Sequence, residues 1–227
     1  NYGYYNEDLD ISLQKNDEIE RYPIQLYQHL CIQTELKDKI IVEVGSGRGG
    51  GANFIARYHS PKLITGVDLS PNAISLCKNN YNLNNLNFII GDSANLPFDD
   101  NSVDVVVNVE SSHCYPSIPD FISEVCRVLK PGGHFLYCDL VIESTLDDHL
   151  NKLKNNSLKD FKHVDITENI IKASELMTDD RNKIINKVNS SFLRKVLKSF
   201  ASVKGSKIYK SFVDRHYRYV SLVAEKK

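Results

Sequence analysis

Six polar or reactive side chains directly follow an apolar run of the chain. The run from Val103 to Val109 has the length and valine content of a buried strand. The side chains after it are a carboxylate, two hydroxyls, an imidazole, a thiol and a phenol: Glu110, Ser111, Ser112, His113, Cys114 and Tyr115. If this segment turns helically, Glu110 and His113 share one face. A carboxylate beside an imidazole fixes its tautomer and supports the imidazolium that forms on proton uptake.

We therefore interpret His113 as a general base and Glu110 as its orienting partner. Glu124 and Asp139 are alternatives for the partner, and His216 is a rival base. An alcohol is a poor nucleophile while it is protonated, whereas a phenol or a carboxylic acid needs a base less. The pair thus favours an aliphatic hydroxyl as the acceptor.

The remaining residues of this stretch have more modest predicted roles. The two serines are expected to satisfy turn backbone, and Cys114 is expected to fill the core. Tyr115 is predicted to line the substrate pocket. Asp139 ends the fifth apolar run and is a second-rank candidate for the same pocket.

A glycine-rich turn follows an earlier apolar run, Ile40–Val44. Gly45, Gly47 and Gly49 let the backbone turn sharply and let a ligand approach the main chain closely. Ser46 lies within this turn, and Glu43 precedes it. In the dinucleotide fingerprint a hydrophobic strand meets GxGxxG, so a carboxylate at Glu43 favours a cationic amino group over a pyrophosphate.

Two aspartates end the next two predicted strands and complete a candidate cofactor site. Asp68, followed by Leu69, can accept hydrogen bonds from both hydroxyls of a ribose. Asp92 can accept the exocyclic amine of an adenine, with Ser93 and Ala94 supplying the flanking backbone. Asn108, near the end of the fourth run, is assigned to the same site.

Short apolar runs alternate with helical patterns along the chain, which predicts an α/β fold. The predicted strands are Ile40–Val44, Leu63–Val67, Phe88–Ile90, Val103–Val109 and Phe135–Tyr137, with two more, 199–209 and 217–226, near the end. Helices are predicted at 20–30, 71–81 and 119–130. The expected architecture is a Rossmann-like, doubly wound, seven-stranded sheet, mostly parallel with a C-terminal antiparallel strand. We expect residues 1–36 to form an N-terminal lid and helix, and residues 141–190 to form a helical lid insertion.

The composition excludes several classes of function. The chain has 227 residues and a net charge of −1, so no general basic field for nucleic acid exists. Its five cysteines include no CxxC pair, which argues against a disulfide framework or a zinc site and favours a reducing, cytoplasmic location. No other cluster has metal-ligand spacing, no apolar run is long enough for a membrane span, and no signal peptide is visible.

Taken together, these motifs resemble the class I S-adenosylmethionine (SAM)-dependent methyltransferases. The resemblance is carried by Glu43 and the three glycines, Asp68, Asp92 and the stretch VLKPGGHFLYCDL, and covers residues 37–140. A closer match adds the stretches NYGY, IQLY, NVESSHCYP and SFLR, and is to phthiotriol and phenolphthiotriol dimycocerosate O-methyltransferases and to O-methyltransferase domains of polyketide synthases. It implies that Gly45, Gly47, Asp68, Asp92 and Ala94 bind SAM, which leaves as S-adenosylhomocysteine. It also implies that Tyr2 and Tyr4 fold over the cofactor, with Tyr4 near the substrate.

The resulting hypothesis is a single domain over residues 1–227 that methylates an aliphatic hydroxyl of a polyketide or lipid-like molecule. The acceptor is either a free small molecule or one tethered to an acyl carrier protein. The chain begins without Met, so it is either a domain excised from a larger synthase, with neighbouring synthase domains, or a trimmed stand-alone enzyme. Carbon methylation of a polyketide or sterol-like substrate and a non-catalytic SAM-binding module remain alternatives.

Overall fold

A computed structural model describes residues 1–9 and 11–227, with the backbone alone for residues 198–200. Within these residues, no helix combines the length and the apolar character that crossing a membrane requires.

One sheet of seven strands organises the described part of the chain. Its spatial order is β3-β2-β1-β4-β5-β7-β6. Strands β1 to β5 run parallel, and β7 is antiparallel to both of its neighbours, β5 and β6. The strands are β1 Ile40–Val44, β2 Leu63–Asp68, β3 Leu86–Ile90, β4 Val103–Val109, β5 Leu129–Ile142, β6 Leu158–Asp165 and β7 Tyr217–Lys226. This confirms the predicted fold class.

Helices connect the strands and cover both faces of the sheet. They are α1 Arg21–Cys31, α2 Gly50–Tyr58, α3 Pro71–Asn80, α4 Ile118–Val128, α5 Leu146–Leu153, α6 Thr167–Leu176, α7 Thr178–Asn186, α8 Ser191–Phe200 and α9 Lys207–Val213. Short 3₁₀ helices span Lys15–Glu20, Ser112–Cys114 and Glu143–Thr145. The predicted start of α3 is observed, because Ser70 Oγ accepts a hydrogen bond from the Ala73 amide at 3.3 Å.

Strand β4 lies in the middle of the core and is buried on both faces. Val105, Val107 and Val109 pack into one hydrophobic cluster, and Val103 and Val106 pack into another on the opposite face. The apolar character of this run thus follows from its central position. The residues after Val109 emerge at the carboxyl edge of the sheet, where open α/β sheets bind their ligands.

The prediction of strands at 199–209 and 217–226 is half wrong. Residues 217–226 form β7, but the chain from 199 onwards leaves α8, crosses a loop and enters α9. Ser206 caps α9, its Oγ accepting from the Tyr209 amide. The second antiparallel partner of β7 is instead β6, a mostly exposed edge strand with charged residues and no apolar run that would have revealed it.

The segment 141–190 therefore contains a sheet strand as well as helices. It holds the end of β5, then α5, β6, α6 and α7. Helices α6 to α9 lie between β6 and β7 in the chain. The assignment of residues 141–190 as a lid stays a prediction. The lid would be formed by the helices that precede and follow β6.

At the N-terminus, the predicted helix at 20–30 is confirmed as α1. The residues that precede it contact both α1 and α6. The Tyr4 amide donates to the Tyr22 carbonyl at 2.9 Å, and the Tyr5 amide donates to the Asn169 carbonyl at 3.2 Å. These bonds fasten residues 2–5 to α1 and α6. The first residues thereby reach the carboxyl edge of the sheet.

Candidate active site

The glycine turn between β1 and α2 forms the floor of the site. Gly45, Gly47 and Gly49 all have positive φ, which side-chain-bearing residues rarely adopt. A Cβ at Gly45 would lie 2.3 Å from Ser111 Oγ, so the turn packs tightly against the segment after β4. A Cβ at Gly47 would meet no atom within 4 Å, which leaves open space above the backbone there.

Glu43 lies directly below this turn and is fully buried. Its Oε1 accepts a hydrogen bond from the Tyr27 hydroxyl at 2.6 Å, whereas its Oε2 has no partner among the described residues. Burial raises the pKa of Glu43 to about 7, and the nearby Asp68 carboxylate adds to this rise. Tyr27, on α1, was not identified from the sequence, since its spacing also fits plain helix packing.

The two aspartates end their strands as predicted and brace the turns around them. Asp68 Oδ2 accepts from the Gly47 amide at 2.8 Å, and its Oδ1 accepts from the Ser70 amide at 2.9 Å. Asp92 Oδ1 accepts from the Ala94 amide at 2.9 Å. Leu69 is exposed beside Asp68, and Ser93 is buried. Asp68, Leu69, Asp92 and Ser93 thus lie along the ends of neighbouring strands β2 and β3.

Asn108 anchors the end of β4 to the glycine turn. Its Nδ2 is within hydrogen-bonding distance of the Val44 carbonyl at 3.0 Å, Ser111 Oγ at 2.8 Å and the Tyr115 hydroxyl at 2.9 Å. The Tyr115 hydroxyl would lie 2.8 Å from a Cβ at Gly45. Tyr115 therefore packs over the glycine turn, on the side of the predicted cofactor, and its role in the substrate pocket stays a prediction.

Unpartnered buried polar atoms concentrate at this site. Among the described residues, four such atoms occur, and three of them are Glu43 Oε2, Ser46 Oγ and Asn108 Oδ1. Burying a polar atom without a partner is costly, so a ligand that donates hydrogen bonds would relieve the cost. The open space above Gly47 and the carboxylates of Asp68 and Asp92 fit the rest of a nucleoside-bearing cation.

His113 lies in the 3₁₀ turn after β4 and is held by Asp139. Its Nδ1 lies 2.7 Å from Asp139 Oδ1, and its amide donates to Asp139 Oδ2 at 3.1 Å. Asp139 is fully buried, while the imidazole is partly exposed. The hydrogen bond to Asp139 raises the pKa of His113 above 6.5, against the opposing effect of its own partial burial.

A chain of buried hydrogen bonds fixes Asp139 in turn. Ser112 Oγ donates to Asp139 Oδ2 at 2.6 Å and lies 2.9 Å from the Tyr137 hydroxyl. That hydroxyl lies 2.7 Å from His149 Nε2, on α5. Ser112, predicted only to satisfy turn backbone, thus supports the pair. Tyr137 and His149 were missed, because no local spacing links β5 and α5 to the turn.

Glu110 has a different environment from the one predicted. Its Oε1 accepts from the Tyr2 amide at 2.8 Å and from the Tyr219 hydroxyl at 2.6 Å. The residue has a φ of 48°, so the chain turns sharply where β4 ends. Because of this turn, the structure corrects the pairing of Glu110 with His113. The partner is Asp139, one of the alternatives considered.

Four further candidate residues have these places in the structure. Glu124 accepts from the Leu96 amide and pairs with Arg127, so it does not hold the imidazole. Asp139 is fully buried behind His113 and hydrogen-bonds to its imidazole, so its carboxylate does not line an open pocket. Tyr4 is buried and stacks on His29 with a centroid distance of 4.6 Å, and its role as a lid contact near the substrate stays a prediction. His216 is exposed on the approach to β7.

A cavity of about 330 Å³ opens beside Glu110. It is lined by Asn1, Tyr2, Glu110, Arg181, Ile184, Ile185 and Ala201. Arg181, on α7, donates to the carbonyls of Ala201 and Asn1. The cavity therefore lies between the N-terminal segment, the end of β4 and the helices that follow β6. Among the described residues, no group of three or more His, Cys, Asp or Glu side chains could hold a metal ion.

Comparison with known proteins gives the family. Residues 42–137 match the model of the family described as "Methyltransferase domain". The chain is 36% identical over 206 residues to the phthiotriol/phenolphthiotriol dimycocerosates methyltransferase of Mycobacterium leprae. The aligned region covers 90% of this chain and 76% of the relative. The chain belongs to the methyltransferase family.

Further comparisons agree with this membership. A fatty-acid O-methyltransferase of Mycolicibacterium smegmatis is 36% identical over 205 residues, covering 90% of this chain and 75% of the relative. The fold also matches a crystal structure from Galdieria sulphuraria that is assigned as a sarcosine dimethylglycine methyltransferase. The superposition covers all of this chain and 92% of the other chain, with a TM-score of 0.81 at 16% sequence identity. That last likeness shows the fold alone. The methyltransferase described here uses SAM as its methyl donor.

Proposed function

We propose that this methyltransferase transfers the methyl group of SAM to an aliphatic hydroxyl of a lipid-like or polyketide acceptor, with His113 as general base. The observation that carries the proposal is the pair formed by His113 Nδ1 and the buried Asp139 carboxylate, 2.7 Å apart at the carboxyl edge of the sheet. Asp139 takes the place proposed for Glu110, which we now infer to position the N-terminal segment.

The pair defines what each nitrogen of the imidazole can do. Asp139 holds the Nδ1 proton, which leaves Nε2 as the acceptor. When bound, SAM supplies an electrophilic methyl group and a neutral thioether leaving group. Nε2 takes the proton of the acceptor hydroxyl while the oxygen–carbon bond forms and the sulfur–carbon bond breaks. Asp139 stabilises the imidazolium that results.

The cofactor side of the proposal assigns roles to the turn residues. Glu43, with its unpartnered Oε2, faces the amino group of SAM, and Asn108 and Ser46 complete the polar lining. Asp68 accepts the ribose hydroxyls, beside the exposed Leu69. Asp92 accepts the adenine amine, flanked by Ser93 and Ala94, and Gly45, Gly47 and Gly49 allow close approach.

Two observations support a lipid-like acceptor: the names of the relatives and the cavity beside Glu110. Relatives at 36% identity are named for dimycocerosate lipids and fatty acids. The cavity combines polar groups near the site with Ile184 and Ile185 on α7. We assign this cavity to the acceptor, either as a free molecule or on an acyl carrier protein of a neighbouring synthase domain, in the cytoplasm.

Replacement of His113 tests the mechanism. We expect His113→Ala to lower kcat by about 10²–10⁴-fold, because it removes a general base. SAM affinity, measured by calorimetry, should stay unchanged. His134→Ala, in β5 away from the pair, is the matched control. Equal kcat for His113→Ala and the parent chain would contradict the proposal.

The pH dependence of kcat gives a second test of His113 as the general base. The base acts only when its imidazole is neutral, and the pKa of His113 is raised above 6.5 by Asp139. We therefore expect kcat to rise with pH through a midpoint above 6.5. The rising limb should disappear in His113→Ala, whose residual rate depends less on pH.

Methylation of a fatty-acid carboxylate is a second candidate. It is favoured by the M. smegmatis relative and by Arg181, whose guanidinium lines the cavity and could pair with a carboxylate. Product analysis separates the candidates, since an ester is cleaved by mild base, an ether is not, and a C-methyl product lacks the O-methyl signal in proton NMR. Methyl transfer that depends on His113 would exclude a non-catalytic SAM-binding module.

A further inference from the structure

Charge is distributed very unevenly along this chain. Residues 181–213 contain nine basic and no acidic residues, while the rest of the chain contains 19 basic and 29 acidic residues. This segment comprises most of α7, all of α8 and α9, and their connections. The near-neutral net charge thus hides a basic region opposed to an acidic remainder.

Helix α8 presents several apolar side chains to solvent. Phe192 is 72% exposed, and Leu193 and Leu197 are also exposed. Their spacing, together with Val196, places them on one arc of the helix. Arg194 is half-buried, whereas the other described residues of α8 are exposed. The helix therefore turns its apolar side outward, the reverse of an ordinary surface helix.

Basic residues border this apolar arc. Helix α8 contacts both α7 and α9. Lys187, Lys195, Lys207 and Lys210 are exposed, and none of them forms an ion pair within the part of the chain that the structure describes. On α7, Ile184 is 57% exposed and also lines the cavity beside Glu110. We name the set Ile184, Lys187, Phe192, Leu193, Lys195 and Leu197 the α8 surface.

We propose that the α8 surface docks the protein onto a lipid bilayer that carries anionic headgroups. An interfacial helix has an apolar face that enters the acyl boundary and basic residues that meet anionic lipids, and α8 with its neighbours has both. A partner that supplied negative charge alone would leave Phe192 and Leu197 in water. Because Ile184 belongs both to this surface and to the cavity lining, docking places the cavity entrance at the membrane.

Vesicle flotation tests the proposal without using turnover, so its failure is distinguishable from failure of the proposed function. The full chain is mixed with vesicles of phosphatidylcholine alone or of equimolar phosphatidylcholine and phosphatidylglycerol. We expect binding to the anionic vesicles, weaker binding at high salt and little binding to the neutral ones. Equal binding to both vesicles, or to neither, would overturn the proposal.

Matched variants locate the contact. We expect Phe192→Ser to weaken vesicle binding by about tenfold, because it removes a large apolar side chain from the interface. Ile32→Ser removes an exposed apolar residue at the end of α1 and should bind like the parent chain. Lys195→Glu should weaken binding several-fold, and Lys78→Glu, on α3, should not. Circular dichroism and SAM affinity report on folding of each variant.

Other occupants of the surface have their own signatures. If a second copy covers it, size exclusion will show a dimer that Phe192→Ser dissociates. If an acidic protein covers it, an acyl carrier protein will bind and Phe192→Ser will bind anionic vesicles as tightly as Ile32→Ser. Either result would overturn membrane docking.

Discussion

At the scale of single residues, the buried carboxyl of Glu43 is the group through which we expect folding and ligand binding to be coupled. Its burial beneath the glycine turn raises its pKa to about 7, so folding favours the protonated form. The stability this group contributes is fully present below its ordinary pKa near 4.5 and is lost as pH rises through 7. A bound cation reverses this preference, because it pairs with the carboxylate.

This coupling predicts how SAM affinity depends on pH. Between pH 5.5 and 7 the amino group of SAM stays protonated, while Glu43 ionises, so the affinity should increase on the order of tenfold. Glu43→Gln should bind SAM more weakly and lose most of this dependence, whereas Glu20→Gln, an exposed control, should retain it. Calorimetric titration across this pH range measures both effects. A parent chain whose affinity is flat in pH would show that Glu43 does not face the amino group.

The sequence sufficed to predict the place of the candidate residues that directly follow a strand. The glycine turn, Asp68, Asp92 and His113 each follow a recognisable apolar run, and the parallel sheet brings those ends together. The orienting partner of His113, in contrast, could be identified only from the three-dimensional structure. Glu110 and His113 are three residues apart, but the backbone turn at Glu110 directs its carboxylate to Tyr2 and Tyr219 instead.

At the scale of elements, Glu110 links three parts of the chain. Its carboxylate joins the end of β4 to the N-terminal segment through the Tyr2 amide and to β7 through the Tyr219 hydroxyl. Its positive φ costs on the order of 1 kcal/mol for a side-chain-bearing residue, which the two hydrogen bonds offset. Glu110 therefore holds residues 1–5 in place over the carboxyl edge.

Removing this carboxylate should release the N-terminal segment without unfolding the sheet. We expect Glu110→Ala to increase hydrogen exchange at Tyr2 by about tenfold, because an anchoring charge-assisted bond is lost. The amides of β4 and β5 should exchange as before. His113→Ala serves as the control, since its imidazole bonds to Asp139 whereas the Tyr2 amide bonds to Glu110. Unchanged exchange at Tyr2 in Glu110→Ala would mean that other contacts hold the segment.

Elements differed in how well the sequence predicted them, and the reason is burial. Strands β1 and β4 were predicted to the residue, because central strands buried on both faces are mostly apolar, here with Glu43, Asp104 and Asn108 as the polar exceptions. Strand β6 was missed, since an edge strand exposed to solvent has no such pattern. The strand predicted at 199–209 was wrong, because its apolar and β-branched residues lie in the end of α8, in a loop and in the start of α9.

At the scale of the whole molecule, the proposed cofactor site spans the ends of β1 to β4, so a ligand bound there would stabilise the sheet from its carboxyl edge. SAM at 100 times its Kd should add about 2.7 kcal/mol to the free energy of unfolding. For a chain of this length, that corresponds to an increase in Tm of roughly 5–10 °C. In the proposed site, Asp92 would contribute through Oδ2, the carboxylate oxygen that does not accept from the Ala94 amide.

Asp92→Asn isolates that contribution, because Asn Oδ1 can keep the turn bond to Ala94 while its amide group no longer accepts from an adenine amine. We expect the variant without SAM to melt within a few degrees of the parent chain. Its increase in Tm at a fixed SAM concentration should fall by about half or more, as expected from a tenfold loss of affinity. Asp120→Asn, on the exposed face of α4, should show the full increase. If Asp92→Asn also showed the full increase in scanning calorimetry, the adenine would have to lie away from the end of β3, and the placement of the cofactor across β1 to β4 would be wrong.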